Sequence, residues 1–384
     1  LPDTVLICRG KDKLLKKGVA MADVTVNDEK LSKFCTQVFV NLGVPQADAE
    51  VTSDNLVQAD LRAIPSHGVA RLMRYVNGIK NGKILPGVEP KILKETPCTA
   101  AISGENGLGQ PAGLFGMKLA IKKAKDAGVG FVTVCNSNHY GIAGYYSMMA
   151  IKENLCGISM TNSAPLGVPT FSRDMIIGTN PISVVFPAGK ERPWVLDMAT
   201  TVVPRGKLEV YERLGKPLPL GWAVDEKGIP TADTKKVLDN MTKAAGGGVL
   251  PLGGAGEEFS GHKGYGMSVL VDIFSGILSG AAYGPYVDSK RDPSQKFSNV
   301  GHFFGAINID NFIPVDRFKT TLDRMITELK SSNKAEGEKR VFIHGEKEFE
   351  KSEYYKKNGL PLEEKVYTQL EKLSSEMNIK FDIK

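Results

Sequence analysis

The sequence predicts an α/β fold of the α+β kind: a central mixed sheet with flanking helices, enclosed by helical segments from both chain ends. Three observations carry this. Residues 27–80 and those beyond 315 repeat apolar side chains at helical spacing. Between about 88 and 310, short β-rich runs alternate with glycine and proline. The 384 residues are 42% apolar and 24% charged. That is an ordinary globular balance, with room for two or three domains at about 150 residues each. Gly 41 and Pro 21 exceed the usual share of about 12%, yet stay below the roughly 25–30% of low-complexity chains. Disorder, collagen-like repeats and coiled coil are excluded as global descriptions.

The elements follow in order. Residues 1–20 read as an N-terminal extension, with Met21-Ala22-Asp23 as an alternative start. Asn27 caps a first helix whose Leu31, Phe34, Val38 and Phe39 share a face. Val44-Pro45 breaks it, and a second helix runs from Ala47 to Leu61. After Ile64-Pro65, Ser66 is the expected N-cap of a third helix running to about Lys80. Strands are expected at Thr99 to Ser103, Gly130 to Asn136, Gly157 to Asn162, Ile182 to Pro187 and Trp194 to Met198. Helices Pro111 to Ala127 and Gly264 to Leu278 interrupt them. Phe318, Leu322, Ile326 and Leu329 mark a helix after 315, Gly337 to Lys347 a loop, and Pro361 to Ser375 a last helix. The expected organisation is a helical domain from 21–87 and 311–384 around a central sheet domain at 88–310.

Charge and cysteine usage narrow the function classes. A net charge of +6 spread along the chain lacks the concentrated basic face of a nucleic-acid binder. A modest positive field also favours anionic substrates. The five cysteines form no CxxC pair, and no HExxH occurs, so no metal centre is expected. Unpaired cysteines in apolar text fit a reducing compartment. The apolar run Met267 to Tyr283 is too short and polar to span a membrane, and residues 1–20 do not resemble a secretory signal. A cytoplasmic location is expected.

One glycine cluster imitates a dinucleotide fingerprint. Gly107-Leu108-Gly109-Gln110-Pro111-Ala112-Gly113 joins a strand to a helix, but its spacing is GxGxxxG. The next strand ends Val134-Cys135-Asn136, without the acid that a Rossmann site sets on the ribose. A strand-to-helix turn needing positive φ is the better reading. Walker and GxSxG motifs are also missing from the sequence.

Four places can carry chemistry. His67, in Pro65-Ser66-His67-Gly68, stands at an expected helix start, where the dipole keeps the imidazole neutral and basic. Arg71 and Tyr75 follow at four and eight residues, on the same expected face. An Arg fork there suits a substrate carboxylate. A capping histidine above a surface arginine stays open as the plain reading. His139 follows a strand in Asn138-His139-Tyr140-Gly141, where a tight turn is equally possible. Asp197 ends an apolar strand and needs a partner: it can orient a histidine, bind a ribose or cap a helix. Lys263 in Gly261-His262-Lys263-Gly264 suits a phosphate at a helix start, or a plain Gly-rich turn.

Taken together, these pieces resemble one family. They are Ala59 to Arg71, Asn138 to Gly141, Gly178-Thr179-Asn180-Pro181, Leu196 to Thr200, Pro251 to Gly254 and His262 to Gly266. In this order they are similar to the type-2 malate/L-lactate dehydrogenases, which also include ureidoglycolate and sulfolactate dehydrogenases, diketogulonate reductase and cyclic-imine reductases. The resemblance covers roughly residues 25–380. It implies an NAD- or NADP-dependent oxidoreductase with a non-Rossmann, largely antiparallel cofactor domain, usually a homodimer. It implies acid/base roles for His67 and His139, with Asp197 supporting, and substrate contacts from Ser66, Arg71 and Tyr75. For the dinucleotide it implies Thr179, Asn180, the run Val195, Leu196, Asp197, Met198, Ala199, Thr200 and Thr201, then Lys263 and Gly264, and the loop Gly345, Glu346 and Lys347. That loop usually reads PGE, and His344 stands here for the proline.

The expected reaction interconverts a 2-hydroxy acid and its 2-oxo acid. Arg71 holds the carboxylate, His67 exchanges the hydroxyl proton, and His139 polarises the oxygen or serves as the alternative base. Malate is the first choice of substrate. Lactate, sulfolactate, ureidoglycolate and cyclic imines stay open, with Arg62 and Arg74 as candidates for a second carboxylate. A dinucleotide-binding protein without catalysis is the answer of a different class.

Overall fold

The structure is a computed structural model, and it describes residues 23–288 and 295–384. The expected extension at 1–20, Met21-Ala22 and Cys8 lie outside the described residues.

The chain runs β1 (Asp23–Val26), α1 (Asp28–Asn41), α2 (Gln46–Leu61), α3 (Leu72–Lys80), β2 (Lys91–Glu95), β3 (Thr99–Ser103), α4 (Gly109–Ala127), β4 (Val129–Ser137), α5 (Ala143–Ser147), β5 (Leu155–Thr161), β6 (Ile182–Phe186) and β7 (Trp194–Met198). It continues α6 (Arg205–Arg213), β8 (Ala223–Val224), α7 (Thr234–Lys243), β9 (Gly248–Val249), α8 (Gly261–Asp272), β10 (Val300–Asn308), α9 (Val315–Ser331), α10 (Glu346–Asn358), β11 (Leu360–Glu363) and α11 (Glu364–Met377).

The central sheet has the order β2-β3-β4-β10-β5-β6-β7. Among the described residues its β3–β4 pair is parallel and its other neighbours are antiparallel. The mixed, largely antiparallel sheet is therefore observed, and it is not a Rossmann arrangement. The central strand β10 escapes the sequence pattern. Its Val300 to Ala306 are all buried, so the alternation that marks a half-exposed strand is missing.

The two chain ends meet in one core. Leu31, Phe34, Val38 and Phe39 of α1 pack with Leu56, Leu72 and Val76, and with Leu360, Leu370, Leu373 and Ile383. Strand β1 pairs with β11, Val24 opposite Leu362. Asn27 caps α1 as the sequence suggests, its Oδ1 accepting from Lys30 N at 2.9 Å. The later helix α9 packs elsewhere, its Leu322 and Ile326 against Phe186, Ala188 and Trp194 beside the sheet edge. Helices α6, α7 and α10 carry polar faces, and the sequence pattern does not announce them. Among the described residues Cys35, Cys98, Cys135 and Cys156 are unpaired. Among the described residues no helix is long and apolar enough to cross a membrane.

Candidate active site

The third helix does not begin at Ser66. Residues Pro65–His67 and Val69–Arg71 form two short 3₁₀ turns, and α3 starts only at Leu72. The break is at Gly68, which is extended (φ −81°, ψ −156°). Its cause is Asp60, buried at the end of α2, whose Oδ2 accepts from Val69 N at 2.7 Å. A Cβ on Gly68 would overlap that carboxylate. Ser66 is therefore no N-cap, and His67 owes nothing to a helix dipole. Its pKa is lowered to about 4 by burial, then by the positive charges of Arg71 and Arg74. Nor do His67, Arg71 and Tyr75 share one continuous helical face.

The kinked segment still brings the expected residues together. His67 and His139 are half-buried and stack with ring centroids 5.5 Å apart. Ser66 Oγ lies 3.0 Å from His67 Nδ1. Arg71 Nε donates to Ser66 O at 2.6 Å, which leaves the two terminal nitrogens of its fork free to meet an anion. Tyr75, 1% exposed, places its hydroxyl 2.6 Å from His139 Nδ1. Burial pushes that phenol up to about 12, so it stays protonated. Burial, then Arg74, His67 and Arg71, hold His139 well below the usual imidazole range. The Gly141 N–H also donates to His139 Nδ1, at 3.3 Å. An N–H can only donate, so Nδ1 is the acceptor and the neutral ring carries its proton on Nε2. Among the described residues neither Arg71 nor Arg74 is in an ion pair.

The GxGxxxG turn proves to be a packing device. Its positive φ values fall at Glu105 and Asn106, not at its glycines. Gly109 is needed because a Cβ would overlap the carbonyls of Asn138 and His139, and Gly113 because one would come within 2.7 Å of the Tyr146 ring. The turn thus presses α4 against the His139 loop.

A second feature is a cleft of about 420 Å³ lined by Arg62, Val195, Leu196, Asp197, Met198, Gly345 and Lys347, with Phe342 to His344 and Glu348 closing one wall. Strand β7 and the loop before α10 are joined there by Val195 N donating to His344 O at 3.2 Å. His344 thus serves through its backbone where the resemblance calls for proline. Asp197 Oδ2 accepts from Gly144 N at 2.9 Å. Burial raises its pKa to about 6, against the lowering pull of that N–H and of Arg62. No hydrogen bond joins Asp197 to a histidine among the described residues. Arg62 is 5% exposed, and among the described residues its Nε has no partner.

The remaining expected positions divide by their contacts. Asn180 and Thr200 are fully buried and spend their side chains internally: Asn180 Nδ2 on Ser268 O, Thr200 Oγ1 on Thr179 O and Asn180 O. Thr179 Oγ1 meets Ser163 Oγ, and Thr201 Oγ1 donates to Val203 O. Ala199 follows the end of β7. Lys263 lies in the first turn of α8, and Gly264 packs on the backbone of Leu252, whose N–H donates to Thr200 O. Glu346 faces away from the cleft in ion pairs with Lys330 and Arg340. Sequence reasoning misses His302 on β10, held by Thr161 Oγ1 and Ser137 Oγ at 2.8 Å each and stacked on Tyr140. Burial lowers it to about 3. It is a satisfied core histidine behind the site. A lone histidine in a strand without alternation gives no signal.

The sequence matches the malate/L-lactate dehydrogenase family over residues 26–371. It is 49% identical to a malate dehydrogenase of Pyrococcus horikoshii over 93% of this chain and 96% of that one. It is 38% identical to an L-sulfolactate dehydrogenase of Methanocaldococcus jannaschii over 92% and 97% of the two chains. Among solved structures, a malate dehydrogenase from Entamoeba histolytica superposes with a TM-score of 0.90 at 36% identity, covering 94% of this chain and 100% of that one.

Proposed function

Because this chain belongs to the malate/L-lactate dehydrogenase family, and is thus a dinucleotide-dependent enzyme interconverting 2-hydroxy and 2-oxo acids, we propose that malate and oxaloacetate are its substrate pair. One observation carries the choice. Two guanidinium groups in no ion pair among the described residues, Arg71 and Arg74, act together on the His67–His139 pair. A dicarboxylate meets both, whereas lactate engages one. Sulfolactate, also a dianion, is the second reading on the same ground.

The roles follow from the geometry. Arg71 presents its free fork to the carboxylate next to the reacting carbon. His139 points Nε2–H at the substrate oxygen. His67, with Nδ1 directed to Ser66, offers Nε2 to the hydroxyl proton during oxidation and returns the proton during reduction. The bound dianion offsets the field of Arg71 and Arg74, which raises the basicity of His67 toward the working range. A bound dinucleotide would supply the hydride acceptor or donor for the substrate C2.

The second cleft suits a dinucleotide. Arg62 and Lys347 supply positive charge, Arg62 with an orphaned buried Nε. Gly345 leaves a hollow that a Cβ would fill, 2.8 Å from Val195 Cβ. The backbone and side chains of Val195, Leu196, Asp197 and Met198 would hold the cofactor, with Asp197 toward a ribose. Thr179, Asn180, Ala199, Thr200 and Thr201 fix the strand end, and Lys263 with Gly264 would meet a phosphate.

A second copy of the chain completes the reading. The exposed apolar residues Met267, Leu270, Ile273 and Ile277 follow one face of α8 and its continuation, as a homodimer contact would. The unpaired cysteines fit a cytoplasmic setting. The test is absorbance decay of NADH and of NADPH with oxaloacetate, sulfopyruvate and pyruvate. Oxaloacetate is expected to give the highest kcat/KM. A higher value for sulfopyruvate selects the second reading, and cofactor binding without turnover of any 2-oxo acid overturns both.

A further inference from the structure

The GxGxxxG turn has one residue that packing does not explain. Gln110 is fully buried, and among the described residues neither its Nε2 nor its Oε1 has a hydrogen-bond partner. Leaving both ends of a buried amide unpaired is costly, and such a group calls for a reason. Gln110 is the second residue of α4, the helix start that Gly109 holds against the His139 loop. Its amide is near enough to the Tyr75 hydroxyl to lower that phenol's pKa as a hydrogen-bond donor does, yet among the described residues no hydrogen bond of full geometry joins the two. The single O–H of Tyr75 is donated to His139 Nδ1, which also accepts from Gly141 N–H. Among the described residues the phenolic oxygen accepts no hydrogen bond of full geometry, and its lone pairs stay open to one. The missing donor of Tyr75 and the missing partner of Gln110 complement each other.

We propose that Gln110 is a positioning residue for the Tyr75–His139 pair: after a small side-chain turn its Nε2–H donates to the Tyr75 oxygen, directing the phenol O–H at His139 Nδ1 and so reinforcing, beside the longer Gly141 contact, the His139 tautomer protonated on Nε2. This rests on the reading of His139 as the group that polarises the substrate oxygen. With the reverse order, His139 Nδ1–H donating to Tyr75, a bare Nε2 faces the substrate and the polarising donor is lost.

The test uses the full chain with Gln110→Met and Gln110→Leu, which keep much of the volume and remove the amide. Nitrogen-15 spectra of histidine-labelled protein, assigned with His139→Asn, report the His139 tautomer without any turnover. The wild type is expected to show a protonated Nε2, and the Gln110 variants a shift toward protonated Nδ1. With a 2-oxo acid that the wild type reduces, kcat is expected to fall about 10-fold, the share of one hydrogen bond, while cofactor KM stays within about twofold. Adding Tyr75→Phe to Gln110→Met is expected to cost no more than Tyr75→Phe alone. An unchanged His139 spectrum in the folded Gln110 variant overturns the proposal, as do losses that multiply in the double variant. If the wild type reduces no 2-oxo acid, the substrate reading fails, and the spectra still decide the role of Gln110.

Discussion

The Tyr75 hydroxyl lies 2.6 Å from Nδ1 of His139, and the two residues come from different parts of the molecule. Tyr75 belongs to α3 in the helical core, His139 to the loop after β4. The pair exists only when the helical part and the sheet are docked. Neighbouring contacts hold that docking: Tyr145 donates to Asp54 Oδ2 at 2.7 Å, and a Cβ on Gly141 would overlap Asn55.

Tyr75→Phe fills nearly the same space and removes the donor to His139. We expect kcat to fall about 10-fold, the weight of one hydrogen bond, with the melting temperature nearly unchanged. Steady-state rates beside a thermal melt check this. Wild-type kcat in the variant would mean that Gly141 alone orients the ring.

His67→Ala removes the proposed base. General acid–base help is worth about 10²–10⁴ in rate, so kcat is expected to fall by that order, while NADH affinity, read by fluorescence titration, is kept. If instead His139→Ala loses this much and His67→Ala stays near wild type, the two histidines exchange roles.

Much of this site is legible in the amino-acid sequence. His67, Arg71 and His139 are polar residues at element boundaries, Tyr75 lies in the first turn of α3, and they do converge. What the sequence hides is the reason they converge. Helical spacing places His67, Arg71 and Tyr75 on one face, but Gly68 is pulled out of helix by the Asp60–Val69 hydrogen bond. That contact depends on a buried carboxylate nine residues away. The neutrality of His67, which a helix dipole would explain, comes from burial and two guanidinium groups. Strand β10 hides because full burial erases alternation, and His302 hides with it. Gln110 hides inside a motif whose glycines carry the pattern.

Asp60 gives a pH prediction. Burial raises its pKa from 3.8 to about 7, against the lowering effect of the Val69 N–H. The folded state therefore binds more protons than the unfolded state between these values. The stability linked to Asp60 is fully present below about pH 4 and is lost as pH rises through about 7. Asp60→Asn keeps an acceptor for Val69 and cannot ionise. Relative to the wild type it is expected to gain stability steadily between pH 4 and 7, by at most about 4 kcal/mol. Denaturant melts of both proteins at several pH values give the difference, and a flat difference sinks the assignment.

Gly345→Ala tests the cleft itself. Gly345 has φ +88° at the start of α10, a conformation that costs a residue with a Cβ about 1–2 kcal/mol. The added methyl would also stand 2.8 Å from Val195 Cβ, so β7 and the loop before α10 must part. His67 and His139 do not line this cleft. If the cleft holds the dinucleotide, cofactor KM is expected to rise about 10-fold or more while kcat at saturating cofactor falls less. A purely structural defect would lower the melting temperature and leave the cofactor KM of the folded fraction unchanged. A rise in the 2-oxo acid KM alone would move the cofactor out of this cleft.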